Sequence, residues 1–125
     1  MNFLIDTHAL LWFLTNDKRL NPKTKNRLEE ASKVFIPTIV LLELLYLLQK
    51  KRKTKSFAKI LTMLKVSDRF AIVSLDTAVV EKVFSIPENL EMHDRIILAT
   101  AKLLGVAIIT KDKTISKQYS KTIWK

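Results

Sequence analysis

Four carboxylates, Asp6, Glu43, Asp94 and Asp112, stand in places where an acid needs a reason. Asp6 ends the apolar run "NFLID", Glu43 sits inside "TIVLLELLYLL", Asp94 opens "HDRIILATAKLLG", and Asp112 closely follows "VAIIT". An isolated ionised carboxylate is expensive to bury among apolar groups, so each must cap a helix, find a partner or hold a cation. Glu43 is the most telling, because its neighbours one helical turn either way, Ile39, Val40, Tyr46 and Leu47, are large and mostly apolar. Taken singly, each acid has a plain structural explanation: Asp6 and Asp94 as helix-terminal acids, Glu43 at the margin of a buried helix, Asp112 in a turn. Their convergence would not. Carboxylates gathered within a few ångströms repel one another, and without a cation some must take up protons. Oxygen donors, with no Cys and little His, suit a hard cation such as Mg²⁺ or Mn²⁺. The chemistry such a centre supports is phosphodiester hydrolysis, with the metal acidifying water and offsetting charge on the phosphate.

The elements that must position these acids alternate along the chain. "NFLID" reads as a buried strand, and "DTH" starts a helix through "ALLWFLT". Asn21 caps a second helix with Pro22 at its first position, "VFIP" is a strand closed by Pro37, and a third helix begins near Thr38. After the basic link "KKRKTK", "SFAKILTMLKVS" has helical spacing of Phe57, Ile60, Leu61 and Leu64, and "FAIVSL" is the third strand. Asp76 caps "TAVVEKVF", which Pro87 ends; "HDRIILATAKLLG" is a helix with Gly105 just past its end; "VAIIT" and then "TIW" are strands. Strands alternating with helices imply an α/β fold whose parallel sheet is flanked by helices on both faces. In such a sheet the strand ends and first helical turns share one edge, so all four acids are expected at one cleft.

Composition narrows the function further. The 125 residues suit one domain spanning 1–125, and zero Cys excludes disulfides, thiolate zinc sites and Cys nucleophiles. A single Gly excludes glycine-rich phosphate loops. The net charge of +10 favours a polyanionic partner, nucleic acid before membrane. Apolar runs are too short for a bilayer span and no basic leader precedes them, so a cytoplasmic location and no membrane partner are expected.

The motifs "LIDTHALLWFL", "TIVLLELLYLL" and "HDRIILATAKLLGVAIITKD", in this order and at this spacing, resemble PIN-domain proteins, particularly the VapC toxins of toxin–antitoxin pairs. The likeness covers nearly the whole chain; the first and third motifs are fairly specific, the Glu motif weak alone. The resemblance implies a three-layer sandwich with a five-stranded parallel sheet in order 3-2-1-4-5. It implies a Mg²⁺- or Mn²⁺-dependent endoribonuclease, a homodimer, and a VapB-like antitoxin reaching into the acidic cleft. It carries the family's acids onto Asp6, Glu43, Asp94 and Asp112, with Arg95 completing an Asp-Arg pair. Met92 and His93 depart from the Pro or small residue many relatives have before that pair. Thr7 and Thr110 flank the site as hydroxyl partners. "SLDTAVV" imitates the first motif, but in the implied order strand three lies two places from strand one, which leaves Asp76 as a cap.

Three rival readings remain open. His8 and His93 could serve as general base and acid of a metal-independent ribonuclease, which would leave a 2′,3′-cyclic phosphate instead of a 5′-phosphate. The chain could be a non-catalytic RNA-binding module, or a housekeeping RNA-processing nuclease of the same fold. Lys50, Lys51, Arg52, Lys53 and Lys55 could hold RNA backbone or simply be a solvated helix end. Arg95 could bridge to a carboxylate or to the scissile phosphate. Trp12 and Phe13 read as core or dimer surface in preference to a base-stacking platform.

Overall fold

The computed structural model describes residues 1–124. Its elements run β1 (Asn2–Ile5), α1 (Thr7–Leu14), α2 (Pro22–Glu30), β2 (Lys33–Pro37), α3 (Thr38–Lys50), α4 (Thr54–Val66), β3 (Phe70–Val73), α5 (Thr77–Val83), α6 (Met92–Leu104), β4 (Ala107–Ile109), α7 (Lys113–Gln118) and β5 (Thr122–Ile123). The five strands form one sheet in the order β3-β2-β1-β4-β5, and every pairing is parallel. This is the PIN-type order that the resemblance implied.

β1 lies at the centre because, past the exposed Asn2, it is continuously apolar: Phe3, Leu4 and Ile5 are all buried, as a strand covered on both faces requires. Leu4 aligns with Phe35 of β2 on one side and Ile108 of β4 on the other. The chain leaves β1 toward β2 and returns through β4 on the opposite side, which makes the β1/β4 pair the switch point where a cleft opens. Leu10, Leu28, Ile36, Leu44 and Leu98 fill the core from the helices and β2.

Local signals place the helix starts. Asn21 accepts from the Thr24 N–H at 2.9 Å with Pro22 following it, and Asp76 accepts from the Val79 N–H at 3.1 Å. α6 stops at Gly105, whose φ of +67° is the left-handed conformation a helix end favours. α4 begins at Thr54, ahead of the expected Ser56, and β3 stops at Val73, short of the expected Leu75. α7 is an element the sequence did not announce. Among the described residues, no helix is long and apolar enough to cross a membrane.

Candidate active site

Asp6, Glu43, Asp94 and Asp112 line one cavity of about 210 Å³, joined there by Thr7, His8 and Glu91. The switch point explains the meeting. The Asp6 N–H donates to the carbonyl of Ile109 at 3.2 Å, which extends the β1/β4 pairing by one residue and sets Asp6 beside the loop carrying Thr110 and Asp112. Glu43 lies five residues into α3 from Thr38, about 7.5 Å along the axis, while Asp94 sits in the first turn of α6.

The hydroxyls of two buried threonines link these segments. The Thr110 hydroxyl donates to Asp6 Oδ2 and accepts the N–H of Asp112 at 3.0 Å, so a single side chain ties the first acid to the last. The Thr7 hydroxyl donates to Glu43 Oε1 at 2.9 Å, joining α1 to α3. His93 Nδ1 stands 3.2 Å from the other oxygen, Oε2. Asp6 also caps α1 through the Ala9 N–H at 3.1 Å, and Asp112 caps α7 through the Thr114 N–H at 2.7 Å.

Burial raises the Asp6 carboxyl above the ordinary carboxylate range, with the charge of Asp112 adding to it against the lowering bonds from Thr110 and Ala9. Burial, followed by the charges of Asp112, Glu91, Glu43 and Asp6, pushes Asp94 up to about 6. Burial leads in both cases and mutual repulsion adds to it, and among the described residues no Lys or Arg lines the cavity. The donor set therefore suits a hard divalent ion in charge and chemistry. The shared cavity is nevertheless not a closed ligand cage: among the described residues no three His, Asp or Glu side chains form a ready-made metal-holding group. The oxygens of Asp6 and Glu43 and Oδ1 of Asp112 each meet a hydroxyl, imidazole or backbone partner.

Arg95 points elsewhere. Its Nη2 donates to the carbonyls of Val83 at 3.1 Å and Ile86 at 3.2 Å, so the guanidinium ties the end of α5 to α6 and meets no carboxylate. Of the basic run, Lys51 and Lys53 line a separate cavity and none of its members reaches the acidic one. Asp76 serves as a cap only, and Trp12 is buried in the core. Glu91 was not anticipated; its position just before α6, three residues from Asp94 at the same sheet edge, was the available signal.

Comparison with known proteins agrees with this architecture. Among solved structures, a toxin–antitoxin complex from Klebsiella pneumoniae is 21% identical with a TM-score of 0.74, over 96% of this chain and 94% of the other. VapBC2 from Rickettsia felis, bound to a DNA fragment from its promoter, is 15% identical with a TM-score of 0.71, over 98% of this chain and 96% of the other. VapC20 from Mycobacterium tuberculosis, a toxin cleaving the sarcin-ricin loop, is 15% identical with a TM-score of 0.71, over 94% of this chain and 95% of the other. At these identities the likeness speaks for the fold. No curated protein matches the chain. The PIN domain pattern matches residues 3–121, nearly the full length, and the chain belongs to the PIN domain family.

Proposed function

We propose that this protein is a Mg²⁺- or Mn²⁺-dependent endoribonuclease and the toxin of a toxin–antitoxin pair, folded as one PIN-type domain over 1–125. The observation that carries the reading is the meeting of acids from four separate segments in one cavity, with Asp94 pushed up to about 6 by burial and by its acidic neighbours. Asp6, Glu43 and Asp94, with Asp112 assisting, would hold the ion. When bound, it would acidify water and offset the charge that develops on the scissile phosphate.

The chain's own groups prepare that cavity. Thr7 holds one oxygen of Glu43 and so keeps the other toward His93 and the cavity. Thr110 fixes Asp6 against rotation, and Asp112 is immobilised by its cap to α7. The net charge of +10 supports a polyanionic substrate, and RNA is chosen over other polyanions because one structural neighbour is described as cleaving the sarcin-ricin loop. The toxin role and a VapB-like antitoxin partner are supported by neighbours solved as toxin–antitoxin complexes. A homodimer is part of the same reading, supported by the exposed apolar pairs Leu42/Tyr46 on α3 and Val80/Phe84 at the end of α5, Phe84 being its cap residue. A cytoplasmic location follows from the substrate.

The test compares wild type with Asp94→Asn on a panel of structured RNAs in Mg²⁺, Mn²⁺ or EDTA. Wild type should cut only with a divalent ion and leave 5′-phosphates. The variant should lose about a hundredfold or more, since several kcal/mol of charge stabilisation depend on the ion. Equal cutting by both proteins in chelator overturns the reading.

A further inference from the structure

A second cavity, of about 260 Å³, lies where the ends of α1 and α3 meet the start of α4. Its polar lining includes Arg19, Lys51, Lys53, Ser56 and Asp17. Arg19 grips Asp17 through Nε at 3.1 Å and Nη2 at 2.8 Å, so one anion is already held there by the chain itself. Among the described residues neither Lys51 nor Lys53 pairs with a carboxylate, which leaves the cavity with an excess of positive charge. α4 starts beside it with no side-chain cap and no acid in its first turn, adding the positive end of a helix dipole.

Residues that line the two cavities meet at Trp12. His8 lines the acidic one and its ring lies 5.7 Å from that of Trp12. The guanidinium of Arg19, which lines the basic cavity, lies 5.0 Å from the same indole, and the ammonium of Lys111 lies 5.9 Å from it. Trp12 is only 7% exposed, so it supports cations above it and offers no stacking face. Along α3, Lys51 follows Glu43 by about 12 Å of helix rise. Two cationic side chains over Trp12 thus stand between the acid cluster and the second, basic seat.

On the nuclease reading above, we infer that this basic cavity seats a backbone phosphate of the same RNA strand, a few nucleotides from the bond that is cut. Lys51 and Lys53 supply the charge, Ser56 a hydroxyl donor, and Lys111 steers the strand between the two points. A free anion would need no intervening cation, whereas a strand gains from two fixed points along its backbone.

The test measures binding of a single-stranded RNA by fluorescence anisotropy in EDTA across a salt series, in the Asp94→Asn background, so that no cleavage intervenes. Adding Lys51→Gln and Lys53→Gln should lower the slope of log affinity against log salt by about 0.7 for each phosphate no longer neutralised, with about fivefold weaker binding per phosphate near 0.1 M salt. Lys51→Arg with Lys53→Arg should restore both, and Lys59→Gln with Lys65→Gln, two exposed lysines of α4, should change neither. In the cleaving protein the Gln pair should raise KM and leave kcat unchanged. An unaltered slope and affinity in the Gln pair overturn the inference. So does a result in which RNA binding is intact and affinity for the purified antitoxin falls, since the face would then belong to a protein partner. Because the binding readout uses no metal, a wild type that fails to cut RNA sinks the nuclease reading without deciding this one.

Discussion

Glu43 shows how much one residue's role depends on what holds it. Its two oxygens face the Thr7 hydroxyl at 2.9 Å and His93 Nδ1 at 3.2 Å, and the apolar stem alone would not select that orientation. Thr7→Val keeps the branched shape and removes the donor. Isothermal calorimetry with Mn²⁺ should show affinity about tenfold weaker or worse, the usual cost of losing a group that orients a ligand. Unchanged affinity would detach Thr7 from the site. The placement of Glu43 was readable in the sequence for a reason only half right. Val40 is buried as expected, but Tyr46 is 60% exposed, so the acid lies at the border of a wet face and not deep in an apolar one. Asp6 and Asp94 were legible because strand ends and first helical turns share an edge in any parallel sheet. The double role of Thr110 and the turn of Arg95 toward α5 were not, because each depends on carbonyls and carboxylates brought close only by tertiary packing.

At the scale of elements, the helix ends make two predictions of opposite sign. Gly105 has φ +67° with nothing within 4 Å of a built Cβ, so Gly105→Ala meets no clash and carries only the backbone penalty. Thermal melting should show it destabilised by about 1 kcal/mol. Arg52, at φ +55°, does the same conformational work between α3 and α4 with a side chain that disfavours it. Arg52→Gly should therefore stabilise by about 0.5 kcal/mol, the strain relieved being partly offset by the freer unfolded chain. A drop in stability in Arg52→Gly would mean that its side chain makes an interaction that outweighs the strain. The longer elements were readable from period and caps, but α7 was not. It spans only Lys113–Gln118 with Ile115 as its one buried residue, too short for any periodicity to register. Its sole cue was Asp112, an acid whose cap and whose place at the cavity share one carboxylate. β5, shorter still at two residues, was visible because Ile123 and the Trp124 after it follow a polar stretch.

Across the whole molecule, cation binding, protonation and stability should be linked through the acid cluster. The sheet order that creates the cluster was predicted from family likeness, since parallel alternation alone admits several orders, and the consequence of that order is electrostatic. Asp94 titrates at about 6 in the fold against an ordinary 3.8, so the folded chain binds its proton more tightly than the unfolded chain does. The stability this group contributes without a cation is therefore full below about pH 4 and lost as pH rises through about 6. A divalent ion reverses the trend, because it binds the ionised acids and must displace the proton. An ion present at about 100 times its Kd stabilises the fold by about 2.7 kcal/mol, and that gain shrinks as protons compete for the ligands. Melting in Mn²⁺ and in EDTA should thus differ by several degrees near pH 7.5 and converge near pH 5. Asp94→Asn, which carries no titrating proton and loses a ligand, should show a small Mn²⁺ shift at both. A Mn²⁺ shift in wild type as large near pH 5 as near pH 7.5 would mean that the ion stabilises the chain from somewhere other than this cluster.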